Sequence, residues 1–508
     1  MKDKIFGILN LSSRLINKDD KGNIYKKFTP FDSHIKPFNV RTKRKQLIDV
    51  YCIVSFVSFE SSTVLEYFDN LKTKDIPKIL AMANWKNLNK LNLDTFIKTD
   101  LTPDRIDLTN LLAFTVDPLG SLDRDDAIGI DIKTSRIFIH IADPSSYVDI
   151  KSDLDIELCI RGESVYLDKT YHMFPELLAT KHISLTENQI NRAFTLELQL
   201  SKDFKKIMSH KFYKSLIKVK NLTYEEFQFN INGNSVYSDS NYFQLYNFGR
   251  TLRNNSNYNA HYDSHIMVEN YMIICNTYVA EELKNIPSII RYNKDKIIED
   301  ENINNLDNIN PKLIDMYKVC NYDTATYELN QEYSGHSALK LENYTHFTSP
   351  LRRYADLMIH RILYLKLHSN TNIYTNSYIK NLCVELNMIK SVYKSAYSLN
   401  NICNIMGDLT QLELEVNIIY FDMNRIKLYS MKHNMIFNLV LIHKSIKKLT
   451  NTTTNTNEIQ IELMSDNDSF TELVKFKLFQ QVKIKIYKFN SSNQPFKIDL
   501  LEPVVMLI

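Results

Sequence analysis

The sequence predicts an α+β multidomain protein in which a mixed α/β centre is flanked by small β-barrels. Three observations lead there. At 508 residues the chain is too long for one ordinary core, so roughly two to four domains are expected. Its C-terminal part alternates apolar with polar residues, the pattern of half-buried strands, and its N-terminal part carries short β-like runs. Between them, strand-like runs are interleaved with stretches whose apolar residues recur at helical spacing.

In chain order, residues 1–105 mix short β-like runs with loops. Leu47–Phe59 ("LIDVYCIVSFVSF") is rich in Val, Ile, Tyr and Phe, as strands are. The basic cluster before it, Arg41–Gln46 ("RTKRKQ"), reads either as a solvated turn or as a phosphate contact. Residues 106–405 make up the mixed α/β centre. Arg136–Asp143 ("RIFIHIAD") reads as a strand there, and His265–Asn285 as a helix with Ile266, Met267, Met272, Ile273, Val279 and Leu283 near helical spacing. Thr348–Leu367 reads as another helix, with Ser349 as N-cap and Pro350 at the first helical position. A further helical region runs to about residue 405. Residues 406–508 turn to β: "LELEVNIIYFDMNRIKLYSM" and "LVKFKLFQQVKIKIYKF" suit a small barrel of the OB type, with the polar Thr450–Glu458 between them a long loop.

Composition narrows the class. The chain is 44% hydrophobic and 24% charged, a globular balance. No apolar run approaches the roughly 18 residues that span a bilayer, and "MKDKIFGILNLSSRLINKDD" fits neither a secretory nor a transit peptide. A cytoplasmic or nuclear location is therefore expected, without a membrane. The six cysteines are scattered with no CxxC pair, against structural zinc and a disulfide framework. A net charge of +3 permits an anionic partner without pointing to one.

The chemistry concentrates in Thr115–Ile130, "TVDPLGSLDRDDAIGI", which holds Asp117, Asp123, Asp125 and Asp126 within ten residues. Apolar strand-like runs flank it, so four acids are costly there unless a cation neutralises them. A solvated turn is one reading. A calcium loop is excluded, because the required glycine and glutamate positions hold Ile128 and Thr134. The third reading is Mg²⁺, a hard ion that takes carboxylate oxygens, keeps waters and is completed by substrate phosphate. Extended backbone would point Asp123 and Asp125 to one face and Asp126 to the other, so a turn must converge them. Along the Thr348–Leu367 helix, Arg352, Asp356 and His360 share a face with Arg353 beside them, opposite an apolar stripe. That reads as an exposed Arg–Asp pair, or as two arginines placed at a helix start to bind an anion such as phosphate.

At these residues the chain resembles a known family. "FTVDPLGSLDRDDAIGI", "HIADPSSYVDIKSDLDIELCIRGESVYL", "HMFPELLATKHISL", "KSLIKVKNLTYEE", "VENYMIICNTYVA" and "YTHFTSPLRRYADLMIHRIL" are similar, in order, to successive signatures of the RNase II/RNase R (RNB) superfamily, over about residues 106–370. The flanks resemble most the eukaryotic-type branch of the exosome's exoribonuclease subunit. The resemblance implies an RNB catalytic domain between cold-shock-like and OB-fold domains, and Mg²⁺-dependent, processive 3′→5′ hydrolysis of single-stranded RNA to nucleoside 5′-monophosphates. It makes Asp117, Asp123 and Asp126 metal ligands and Asp125 the acid most critical to chemistry, with Asp123 completing the site. It sets Arg352 on the scissile phosphate with Arg353 next to it, Tyr166 against the terminal nucleotide and Glu269 at the 3′-terminal ribose. An RNA with a free 3′ end and an exosome-like complex are the implied partners.

The N-terminal region has room for one cold-shock barrel and not two, and "SFVSFESSTVLEYFDN" lacks that barrel's glycine-rich turns. Two rival functions remain: an inactive RNA-binding regulator on the same scaffold, which the four intact acids oppose, and a phosphodiesterase with another substrate, which flanking barrels apt for single strands oppose.

Overall fold

The computed structural model describes residues 4–13, 17–32, 35–58, 62–69, 71–86, 88, 104–233, 241–252, 263–294, 309–321, 324–369, 374–421, 425–440, 446–450, 458–464, 471–488 and 496–502. The chain divides into two compact units: residues 84–293 with 325–391, and residues 2–83 with 294–324 and 392–508.

The first unit is built on a closed five-stranded barrel. Its strands are β1 (Ile106–Asp117), β2 (Asp126–Asp131), β3 (Arg136–Ala142), β4 (Asn191–Leu200) and β5 (Ile207–Thr223), in the spatial order β4-β5-β1-β2-β3 with β3 closing on β4. Only β5 and β1 run parallel; the other pairings are antiparallel. The predicted strand over Arg136–Asp143 is β3. Ile128, Ile139, Ile141, Phe194 and Leu196 lie in the buried apolar core of this unit. Burying each such side chain stabilises the fold by about 1.5–3 kcal/mol.

Helices surround the barrel: α1 (Asp153–Arg161), α2 (Tyr224–Gly233), α3 (Asn241–Thr251), α4 (Ser264–Glu282), α5 (Tyr354–Ser369) and α6 (Asn376–Met406), the last belonging to this unit up to residue 391. α4 occupies the predicted span, and Asp263 caps it by accepting from the His265 and Ile266 N–H groups. Between α4 and α5 lies a hairpin of β6 (Ile289–Tyr292) and β7 (Thr326–Leu329). Gly162 ends α1 at φ +70°, a left-handed backbone that a side chain would strain, and its added Cβ would lie 3.0 Å from Ile389.

α5 corrects two expectations. It begins at Tyr354, so Ser349 is not its N-cap and Pro350 is not its first residue. Residues 349–353 form a turn instead, closed by the Arg353 N–H on Ser349 O at 3.0 Å. Tertiary bonds hold that turn: Tyr354 N–H donates to Gly162 O at 2.7 Å, and Ser164 N–H to Arg352 O at 2.9 Å. Nor does α5 show a polar face to solvent. Asp356 and His360 are as deeply buried as Leu357, Ile359 and Leu363, so the Arg353–Asp356 pair is interior, not a surface ornament.

In the second unit, residues 4–68 form a barrel-like sheet in the order Lys4–Leu9, Val50–Ser55, Thr63–Phe68, Phe38–Thr42, Ile24–Pro30, Asn17–Lys18. Lys4–Leu9 also pairs with Ile24–Pro30, so the pairings of five strands run in a ring. The predicted strand over Leu47–Phe59 is the shorter Val50–Ser55. Within the "RTKRKQ" cluster, Arg44 is engaged by the fold itself, forked onto Asp69 and 4.0 Å over the Tyr67 ring. The C-terminal part holds a five-stranded antiparallel sheet of half-barrel form, ordered Met435–Val440, Arg425–Ser430, Gln411–Phe421, Gln481–Lys488, Phe496–Glu502. A three-stranded sheet accompanies it, of Ile446–Thr450, Glu458–Met464 and Thr471–Lys477. The loop expected at Thr450–Glu458 lies, from 451 to 457, outside the described residues. Among the described residues no helix is long and apolar enough to cross a membrane.

Candidate active site

β1 ends on Asp117 and β2 begins on Asp126, so the two outer acids are placed by neighbouring antiparallel strands. The loop between them supplies the turn that extended backbone could not. It bends at Gly120, φ +84°, where Ser121 N–H reaches Pro118 O at 3.1 Å. The segment after β3 clamps the loop's far side: Arg124 N–H donates to Ser184 Oγ at 3.0 Å, and Ser184 Oγ–H to Leu122 O at 2.7 Å. Leu185 N–H donates to Arg124 O and Ala142 N–H to Asp125 O, at 3.1 and 2.7 Å.

Each acid meets different neighbours. Asp117 Oδ2 is 3.8 Å from Arg124 Nε, and Asp123 Oδ2 is 3.5 Å from His172 Nδ1. Asp125, 5% exposed, accepts the Leu351 N–H at 2.8 Å on Oδ1 and faces Arg352 Nε at 3.2 Å on Oδ2. Arg352 Nη2 also donates to Ser349 Oγ at 2.9 Å, so the turn before α5 aims its guanidinium at the acids. The turn is held from below by Asp356, whose Oδ1 accepts Ser349 N–H at 2.8 Å and Arg353 Nη2 at 2.7 Å.

Burial pushes the Asp117 carboxyl up to about 6, opposed chiefly by Arg124. Burial pushes Asp125 up to about 7 against the pull of Arg352 and the Leu351 N–H. Asp126 rises well above the ordinary carboxylate range through burial, then through Asp117 and Asp125. The protein therefore holds this acid cluster short of positive charge.

Asp117 Oδ2 is buried without a hydrogen-bond partner, as an oxygen reserved for a cation would be. Among the described residues, no three His, Cys, Asp or Glu side chains are arranged to hold a metal ion by themselves. That donor set fits Mg²⁺, which takes one or two carboxylates and completes its shell with water and phosphate, and not an all-protein cage. Asp117, with Arg124 at 3.8 Å, and Asp126, beside Asp117 and Asp125, are the pair placed to share a cation.

A stability test follows. Both carboxyls titrate above their unfolded value, so neither costs stability below that value and each costs more as pH rises, Asp117 reaching its full penalty above about 6. In metal-free protein, Asp126→Asn should raise the melting temperature at pH 7.5 by several degrees and have a smaller effect at pH 4. Mg²⁺ should stabilise the parent at pH 7.5 and the variant less. Equal melting curves for parent and variant at both pH values would refute the charge imbalance.

The remaining expected residues lie as follows. Tyr166, 44% exposed, sits in a two-residue strand paired with Thr170–Tyr171. Glu269 is exposed on α4, and its charge is felt by Tyr344. Arg353, 18% exposed, donates Nη2 to Asp356 Oδ1 at 2.7 Å. Three site features had not been singled out: the Leu351 N–H, His172 and Tyr224. Tyr224 follows β5 at the register where Thr223 pairs with Asp117; burial and then the charges of Asp126 and Asp117 push its hydroxyl up to about 12. A tyrosine directly after a strand that ends level with Asp117 was the available signal.

Comparison with known proteins bears on the family and the fold. The RNB domain family model matches residues 105–259 and 237–369, half of the chain. Ribonuclease R of Aquifex aeolicus is 27% identical over 324 residues, 51% of this chain and 46% of that protein. The probable exosome complex exonuclease RRP44 of Caenorhabditis elegans is 29% identical over 331 residues, 51% of this chain and 34% of that protein. The chain thus spans half or less of the length of these two relatives. Among solved structures, apo RNase R of Mycoplasma genitalium superposes with a TM-score of 0.67 at 18% identity, covering 96% of this chain and 88% of that one. Yeast Ssd1, a pseudonuclease, superposes at 0.71 and 12% identity, covering 100% and 83%. At those identities the two structures speak for the fold, which nucleases and a pseudonuclease share.

Proposed function

The chain belongs to the RNB domain family, and from that premise we propose that it is a Mg²⁺-dependent, processive 3′→5′ exoribonuclease. Its substrate is single-stranded RNA with a free 3′ end, and its products are nucleoside 5′-monophosphates. The observation that carries the reading is Asp125, gripped between a backbone N–H and Arg352 from the turn before α5, beside two acids that burial pushes up.

In this reading Arg352 binds the scissile phosphate through the guanidinium edge not turned to Asp125 and Ser349; its side chain is 45% exposed. Asp117 and Asp126 would hold Mg²⁺, with Asp123 completing the site beside His172. Mg²⁺ held there would supply an activated water and offset the charge that develops on the phosphoryl and leaving oxygens. Asp125 orients the attacking water. A carboxyl pushed to about 7 accepts a proton readily at neutral pH. Water adds to phosphorus, the P–O3′ bond breaks, and the shortened RNA keeps a 3′-hydroxyl while the released nucleotide keeps the 5′-phosphate.

Tyr166 stacks on the terminal nucleotide and Glu269 contacts its ribose. We assign catalysis to residues 106–405 and RNA guidance to residues 1–105 and 406–508, with an exosome-like complex as the assembly the resemblance supports.

Purified protein given a 5′-labelled RNA and Mg²⁺ should shorten it from the 3′ end and release monophosphates, and EDTA should stop this. RNA that is bound but left intact would overturn the reading in favour of an inactive RNA-binding regulator. Tyr166→Ala should weaken retention of short end-products roughly tenfold and lengthen them, while initial RNA binding changes little. End-products identical to the parent's would remove Tyr166 from the stacking role.

A further inference from the structure

Next to Arg352 the first unit holds a second set of cations, which the chemistry above does not use. Arg291, on β6, is 6% exposed, and its Nη1 is buried without a hydrogen-bond partner. Its guanidinium lies 4.8 Å over the Tyr327 ring, and the Lys390 ammonium lies 5.6 Å from the same ring. Arg353 donates Nη2 to Asp356, while its Nε is buried with no partner. Glu163 bridges to Arg353 through the backbone, and its side chain stands in the field of Lys390, Arg353, Arg291 and Arg352.

Among the described residues, Arg291, Arg353 and Lys390 gather around Glu163 and Asp356, while Arg352 faces Asp125. Burying a guanidinium short of anions is costly, and each orphaned N–H adds about 1–3 kcal/mol. A fold built only for stability would have given Arg291 Nη1 and Arg353 Nε acceptors or used apolar residues. The cluster also borders the expected RNA path: Ser164 N–H bonds Arg352 O, and Tyr166 follows two residues later.

We propose that Arg291, Arg353 and Lys390 form an anion subsite that receives a backbone phosphate of the RNA adjacent to the one at Arg352, with Glu163 as its internal counter-charge. The subsite rests on the exoribonuclease reading. Planar guanidinium donors suit a phosphodiester, and phosphate is the anion RNA repeats at every nucleotide. Glu163 tempers the subsite: its charge competes with the incoming phosphate and so limits how tightly the chain is held.

The test uses full-length protein carrying Asp125→Asn, so that RNA stays intact, and fluorescence anisotropy with short 5′-labelled oligoadenylates. Each oligonucleotide carries one neutral methylphosphonate linkage. In that background one linkage near the 3′ end should lower affinity about tenfold. Adding Arg291→Gln or Lys390→Gln should weaken the all-phosphate RNA about tenfold and abolish the penalty at that linkage. Adding Glu163→Gln should tighten binding severalfold, a gain that loss of a structural contact would not produce. If Arg291→Gln does not fold, Lys390→Gln at its half-buried site carries the test. An unchanged linkage profile in the folded variants, or weaker binding by Glu163→Gln, overturns the subsite. So does an unchanged profile with lost competition by adenosine 5′-monophosphate, which would assign the cluster to the product. A parent protein that cuts no RNA sinks the function above; one that cuts RNA while the profiles stay unchanged sinks the subsite alone.

Discussion

Asp125→Asn should lower the rate of RNA hydrolysis by about three orders of magnitude or more while leaving RNA affinity within about twofold, since its partners act on the reacting phosphate. The substitution is close to isosteric. Asparagine can still accept the Leu351 N–H that Asp125 Oδ1 accepts at 2.8 Å. It removes the charge that faces Arg352 Nε at 3.2 Å and the oxygen able to take a proton from water. Stability should not suffer. Burial already pushes Asp125 up to about 7, so the ionised form is the costly one at neutral pH and the amide avoids that cost. Single-turnover assays at saturating protein, with a melting curve alongside, separate chemistry from folding. A variant that folds and still hydrolyses RNA within tenfold of the parent would remove Asp125 from the reaction.

Asp143→Ala should cost about 3–5 kcal/mol of unfolding free energy, the largest stability effect expected in the first unit. Asp143 is fully buried between Arg105 Nη2 at 2.8 Å and Lys214 Nζ at 3.0 Å. It also accepts Ser145 Oγ–H at 2.5 Å. Burial opposes its charge, but Lys214, His360 and Arg105 outweigh burial and hold the carboxyl well below the usual range. Its contribution is therefore present above the ordinary carboxylate value and is lost as pH falls through the lowered one. Removing it takes away the carboxylate that the buried Arg105 and Lys214 both face. Urea denaturation at pH 7.5 measures the loss. The double variant Asp143→Ala, Lys214→Met should be more stable than Asp143→Ala alone, because one stranded charge is gone. Two substitutions that simply add would contradict the account.

The two carboxylates show where reading from sequence succeeds and where it stops. The cluster holding Asp125 stood out by spacing, four acids between two apolar strand-like runs, and the family resemblance marked Asp125 within it. Asp143 gave no such sign, because its partners Arg105 and Lys214 come from strands and loops far along the chain. The same contrast holds for α5. Its apolar and polar spacing marked a helix correctly, yet its start was placed too early, since Ser349 and Pro350 look like a cap in isolation. The bonds from Gly162 and Ser164 that hold residues 349–353 as a turn depend on a segment roughly 190 residues earlier, beyond any local propensity.

By itself, the sequence determined the residue types available for chemistry, clustered carboxylates and paired arginines, and the strands and helices that carry them. Local patterns suffice for that, because residue type and periodicity are properties of short segments. The tertiary structure alone decided which acid Arg352 faces, that a backbone N–H from residue 351 holds Asp125, and that Arg291 and Lys390 stand beside Arg353. Such partners are set by closure of the barrel and by packing of buried helices. Contacts of long sequence separation leave no periodic mark, so they become visible only when the chain is folded.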